Sequence, residues 1–190
     1  RAVSVAPGST LLDAAAKAGV NVPTLCFHQG IAASANCRLC VVEHVIHPTE
    51  SNSDPTAGAP ERNESKLVPA CRAIAEPGHV IYTGSHNVRT SRRGVLRLLL
   101  GGVDLSEAPE LSKLLAEYGV EAGTLANRDA FPVYTDNPYY IRDYNKCVMC
   151  WRCVDVCGDQ VQFTFAIEPT ERGFEVRVGT HEYDEIMDTT

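Results

Sequence analysis

Two groups of cysteines hold most of the chemistry open to this sequence. Cys147-Val-Met-Cys150-Trp-Arg-Cys153-Val-Asp-Val-Cys157 sets four thiols at C-x2-C-x2-C-x3-C. Upstream, Cys26, Cys37, Cys40 and Cys71 are separated by ten, two and thirty residues. These are all eight cysteines of the 190-residue chain, and none falls between Cys71 and Cys147. Thiolates are soft ligands for zinc and for iron–sulfur clusters. Short CxxC steps converge on one centre more readily than they form ordinary bridges, and disulfide scaffolds are usually short, secreted and evenly studded with cysteine. Disulfides are the alternative for both groups, and a four-cysteine zinc site is a further alternative for each.

The downstream spacing is that of the bacterial ferredoxin run. In two-cluster ferredoxins the first three cysteines of such a run bind one cluster and the fourth binds the other. Cys147, Cys150 and Cys153 are therefore expected on one [4Fe–4S] cluster whose fourth ligand comes from elsewhere. Cys157 is expected on a second [4Fe–4S] cluster. No cysteine is left to complete either, so the sequence reads as a fragment cut before a second such run. In the upstream group, Gly30 to Asn36 is small and flexible. Such a loop can turn backbone N–H groups toward buried sulfur, whose charge is expensive without donors.

The elements that must position these thiols read as follows. Arg1–Val5 alternates like a strand. Thr10 and Asp13 form a capping-box pattern ahead of an alanine-rich helix, with Gly19 as the stop. Cys40–Ile46, Lys66–Ile74 and His79–Thr83 read as strands, and the polar stretch His47–Ser65 as a surface loop. Val88–Leu100 and Ser106–Tyr118 read as helices. In the second, Leu111, Leu114, Leu115 and Tyr118 share a core-facing stripe and Gly119 ends it. Ala122–Pro138 is a turn-rich connector.

Leu25-Cys-Phe-His28, Asn36-Cys-Arg-Leu-Cys-Val-Val-Glu43 and Leu67-Val-Pro-Ala-Cys71 resemble the N-terminal ferredoxin-type domain of one group of proteins. That group comprises the large iron–sulfur subunit of respiratory complex I, NAD-dependent formate dehydrogenase alpha subunits, and iron-only and bidirectional hydrogenase modules. The resemblance implies that Cys26, Cys37, Cys40 and Cys71 ligate one [2Fe–2S] cluster in a β-grasp fold. The long Cys40-to-Cys71 gap fits an exposed insertion at His47–Ser65. That fold should open with a hairpin, so Arg1–Val5 is expected to be its second strand.

Asp136-Asn-Pro-Tyr-Tyr-Ile-Arg-Asp-Tyr-Asn-Lys146 and Arg172-Gly-Phe-Glu-Val176 strengthen the likeness to formate dehydrogenase alpha subunits. Gly158 stands where the run often carries proline. Several relatives carry a further cluster on one histidine and three cysteines. With no cysteine from 72 to 146 that site is missing, which shifts weight toward the formate dehydrogenase type. His86 is then an ordinary loop histidine, and His28, His44, His47, His79 and His181 read likewise.

The expected architecture is α+β: a [2Fe–2S] domain over 1–86, a helical connector over 87–136, and an incomplete bacterial-ferredoxin-type [4Fe–4S] domain over 137–190. The expected cofactors are one [2Fe–2S] and one or two [4Fe–4S] clusters. Molybdopterin is expected only in a missing downstream part. The expected role is electron transfer between a molybdopterin site interconverting formate and CO2 and a flavin/NAD diaphorase-type partner with further clusters. A hydrogenase or complex I-like electron-transfer subunit is the alternative, and a redox-sensing or structural metal module is the alternative of another class. No catalytic residues are found: there is no GxGxxG, Walker or GxSxG motif and no convincing acid–base pair.

A net charge of −7 and a pI near 5.3 argue against nucleic acid. No apolar run approaches a membrane span, so a cytoplasmic location is expected. Trp151 reads as packing beside the cluster. Lys146, Arg152 and Arg38 read equally as partners of cluster charge or as solvated surface charge.

Overall fold

The computed structural model describes residues 1–46, 64–100, 103, 105–106, 108–121, 133–135, 138–172 and 176–180. Of the polar stretch His47–Ser65, only Glu64 and Ser65 are among them. Most of the connector 122–138, residues 173–175 and His181 also lie outside the described residues. The chain forms two compact units: Arg1–Pro23 with Arg38–Arg92, and Thr24–Cys37 with Arg93–Thr190.

In the first unit, helix α1 (Leu11–Lys17) starts as its sequence requires. The Thr10 hydroxyl accepts the Asp13 amide at 3.2 Å, while the Asp13 carboxylate accepts the Thr10 amide at 2.8 Å. These two bonds satisfy donors the first turn would otherwise leave unpaired. Gly19, at φ +72°, stands just beyond the helix end.

Strands β1 (Val41–Ile46), β2 (Glu64–Pro69) and β3 (Val80–Tyr82) make an antiparallel sheet in the order β2-β1-β3. Val42 pairs with Val68 and His44 with Ile81. Strand β2 stops at Pro69, earlier than Ile74, because the chain folds back there: the amides of Arg72 and Ala73 both donate to the Pro69 carbonyl. Arg1–Val5 is extended but has no ladder partner among the described residues, and a strand needs one. The Arg1 guanidinium instead donates to the Ala18 carbonyl at 2.8 Å.

Helix α2 (His86–Leu100) places His86 at its first residue, not in a loop. The Ser85 hydroxyl accepts the Val88 amide at 3.3 Å, the N-cap arrangement. Glu43 on β1 pins this helix start to the sheet, accepting Ser65 Oγ at 2.7 Å and Asn87 Nδ2 at 2.9 Å. Buried Arg92 donates to the Val41 carbonyl at 2.7 Å.

The second unit holds α3 (Pro109–Tyr118), β4 (Val133–Tyr134), β5 (Arg142–Asp143), α4 (Arg152–Asp155), β6 (Glu168–Thr170) and β7 (Arg177–Gly179). Helix α3 starts at Pro109, later than Ser106, because proline is pre-set for the first helical position. It ends at Gly119 with φ +62°, and Leu115 and Tyr118 are buried as the stripe requires. Strands β4 and β5 pair antiparallel, as do β6 and β7. No helix among the described residues is long and apolar enough to cross a membrane.

Candidate metal centres

None of the eight cysteines forms a disulfide. Cys26, Cys37, Cys40 and Cys71 are all buried, at 6%, 4%, 1% and 2% exposure. Buried thiols of this kind are either inert core or a ligand set, and the local backbone distinguishes the two.

In the first unit, Cys40 Sγ lies 3.4 Å from Cys71 Sγ. The approach is built from main chain. Leu11 and Leu12, in the first turn of α1, donate to the carbonyls of Ala73 and Ala70, and the Ala70 amide donates to the Cys40 carbonyl at 3.1 Å. The unpaired first-turn amides of α1 therefore lock the turn that carries Cys71. Leu39, the residue before Cys40, is fully buried and anchors the chain there.

In the second unit, the Cys26 amide donates to Cys37 Sγ at 3.5 Å. The Cys26 thiol is pushed far above the usual thiol range. Its hydrogen bond with the Cys37 sulfur is the main cause, followed by burial. A metal or cluster loaded here must displace protons. Ala35 and Arg38, on either side of Cys37, sit at φ +57° and +58°. Left-handed backbone is uncommon for residues with a side chain and concentrates at functional sites.

The downstream group repeats this habit. Met149 and Trp151, flanking Cys150, adopt φ +52° and +63°. Loss of hydration around its sulfur raises the Cys153 pKa, and the charges of Cys147 and Cys150 raise it further. Cys157 is buried and differently engaged, with its Sγ 3.1 Å from Thr164 Oγ1. The segment behind it folds over the turn: the Phe163 amide donates to the Gly158 carbonyl, and those of Thr164 and Phe165 to the Cys157 carbonyl. A Cβ on Gly158 would stand 3.3 Å from the Phe165 ring, so a larger residue there requires the ring to shift by a few tenths of an ångström.

Ahead of Cys147, the Arg142 guanidinium lies 4.8 Å over the Tyr134 ring and donates to Tyr144 Oη at 3.3 Å. The Tyr144 carbonyl accepts the Cys147 amide at 3.1 Å. Among the described residues, no three of His, Cys, Asp or Glu converge tightly enough to form a ready-made metal site. The donor set nevertheless suits iron–sulfur ligation: unbridged thiols in two clusters, on backbone turned as such loops require.

Residues 1–86 match the family described as a 2Fe-2S iron-sulfur cluster binding domain. All four upstream cysteines lie inside that span. The chain carries a 2Fe–2S ferredoxin-like domain.

The chain is homologous to large subunits of NADH-quinone oxidoreductases and to a hydrogenase subunit. It is 27% identical over 191 residues to the mitochondrial NADH-ubiquinone oxidoreductase 78 kDa subunit of Candida albicans, covering 95% of this chain and 24% of that protein. To the NADP-reducing hydrogenase subunit HndD of Solidesulfovibrio fructosivorans it is 32% identical over 195 residues, covering 92% of this chain and 29% of that protein. It thus spans well under a third of these relatives. The fold is that of a chain in the crystal structure of an NAD+-reducing [NiFe]-hydrogenase in the H2-reduced state, with a TM-score of 0.72 at 24% identity, covering 95% of this chain and 71% of that one.

Spacing alone does not reveal Thr164, Gln160, Tyr144 or Arg142. Their roles come from contacts seven residues past Cys157, across to another loop, or one strand back. Arg152 is the reverse case, singled out for its charge but engaged by a backbone carbonyl (Phe27, 3.2 Å).

Proposed function

We propose that this chain is an electron-transfer segment of an NAD-linked oxidoreductase. Cys26, Cys37, Cys40 and Cys71 hold one [2Fe–2S] cluster. Cys147, Cys150 and Cys153 hold a [4Fe–4S] cluster with one ligand from elsewhere, and Cys157 serves a second [4Fe–4S] cluster. Such clusters gain and lose single electrons with little rearrangement. The protein's part is to bury them, donate N–H groups to sulfur and keep them rigid. The observation that carries this reading is that four buried, unbridged cysteines all fall inside the 2Fe–2S family span.

Along the chain we assign the [2Fe–2S] domain to 1–86, the connector to 87–136 and the [4Fe–4S] domain to 137–190. We further propose that the segment links a molybdopterin site interconverting formate and CO2 to a flavin/NAD diaphorase-type subunit in the cytoplasm. The cysteine-free stretch from 72 to 146 supports the formate dehydrogenase form. Equally weighted is an electron-transfer part of a hydrogenase or complex I-like dehydrogenase, favoured by the relatives.

The test of the wire is EPR of the anaerobically purified, dithionite-reduced protein. A rhombic [2Fe–2S] signal together with [4Fe–4S] signals is expected, and a zinc-loaded, EPR-silent protein refutes it. Adding formate, dihydrogen or NADH to the native complex separates the two forms by which donor bleaches the cluster absorbance.

A further inference from the structure

Two hydrogen bonds within the second unit join segments far apart in sequence. Arg152 Nη2 donates to the carbonyl of Phe27, the residue after Cys26, at 3.2 Å. Gln160 Oε1 accepts the amide of Ala32, inside the loop from Cys26 to Cys37, at 2.7 Å. Arg152 directly precedes Cys153, and Gln160 closes the helical turn that contains Cys157. Each bond therefore runs from a backbone atom of one cysteine loop to a side chain near a cysteine of the other group, directly before Cys153 or three residues after Cys157.

Arg152 is not a solvated surface charge. It is half-buried, and its Nε–H is buried with no hydrogen-bond partner among the described residues. A guanidinium held this way is costly, because unpaired buried donors lose their hydration. Ala32 is exposed, so the Gln160 bond adds little to a core. Its effect is to fix a flexible loop at a second point. Two fixed points on one loop remove both its translation and its swing.

We propose that Arg152 and Gln160 are positioning residues that splice the Cys26–Cys37 loop to the Cys147–Cys157 segment, holding two sets of cysteine ligands at a constant separation. The inference rests on the ligand assignment above. One electron leaves a reduced centre on one side and an oxidised centre on the other gains it; no bond is made or broken and no proton moves. The rate of such a transfer falls steeply with distance. Constant separation is therefore the property that a loop of small residues cannot supply by itself.

The test compares the full chain with its Gln160→Ala and Arg152→Met variants, using dithionite as the reductant. Hydrogen exchange by mass spectrometry reads the splice directly: Gln160→Ala is expected to speed exchange at Ala32 about fivefold. In the reduced protein, loss of either bond is expected to make the [2Fe–2S] EPR signal saturate at lower microwave power, because its fast-relaxing neighbour is no longer held close. Iron content stays unchanged. Gln160→Glu, which keeps an acceptor oxygen, restores both readouts, whereas a merely structural loss would lower stability without moving the saturation.

Unchanged saturation and unchanged Ala32 exchange in a fully iron-loaded variant overturn the proposal. If Gln160→Ala does not accumulate, Gln160→Asn, one methylene short, applies the same test. An iron-free unsubstituted protein refutes the cluster assignment instead, and Ala32 exchange in that same chain still decides whether the splice exists.

Discussion

Leu39→Ala is the substitution that most directly links packing to the proposed upstream ligand set. Leu39 is 0% exposed and lies between Cys37 and Cys40, at the entry to β1. Alanine removes three buried carbons, worth about 0.8 kcal/mol each, so the transfer loss is about 2.5 kcal/mol. Its chain neighbours Cys40, Val41 and Val42 are themselves buried, and Val41 and Val42 are paired in the sheet, so the space cannot collapse freely. An unfilled cavity takes the total toward the upper end of the ~2–5 kcal/mol range for such truncations. A loss of that size is a large share of the ~5–15 kcal/mol that ordinarily holds a domain folded.

The turn carrying two of the proposed ligand thiols then loosens before the downstream group does. Urea titration gives the stability change from the midpoint shift. EPR after timed exposure to air follows the two cluster types separately, with the [2Fe–2S] signal expected to decay first. A stability loss below about 1 kcal/mol, or equal decay of both signals, refutes the view that Leu39 holds this turn in place.

Glu43 titrates below its ordinary value because hydrogen bonds from Ser85, Ser65 and Asn87 favour its charged form. Its contribution is therefore complete above pH 4.5 and fades as pH falls through the lower folded-state value; Glu43→Gln should lower the thermal midpoint at neutral pH and flatten its acid-side fall. Arg38→Gly should raise the thermal midpoint, since Arg38 is exposed at φ +58° and relief of about 1–2 kcal/mol of left-handed strain exceeds glycine's entropy cost of about 0.5–1 kcal/mol. Thr164→Val removes the hydroxyl 3.1 Å from Cys157 Sγ, so, with the proposed clusters loaded, redox titration should show a [4Fe–4S] midpoint moving negative with the [2Fe–2S] midpoint unmoved, and Thr164→Ser should restore it.

What the sequence determined by itself was whatever depends on neighbours along the chain. Helix α1 begins at Thr10 because its capping box needs only residues three apart, and Gly119 ends α3 because its left-handed backbone is a local preference. The stripe of Leu111, Leu114, Leu115 and Tyr118 and the two cysteine groups were equally legible, since period and spacing are one-dimensional properties. Tertiary structure decided whatever depends on a partner far away in the chain. Arg1–Val5 alternates like a strand yet has no ladder partner among the described residues, and β2 ends at Pro69 because its carbonyl captures the following turn. Glu43 finds Ser65 and Asn87, Arg152 finds Phe27, and Gln160 finds Ala32. A hydrogen bond reports distance in space, and for residues more than a hundred positions apart only folding sets that distance.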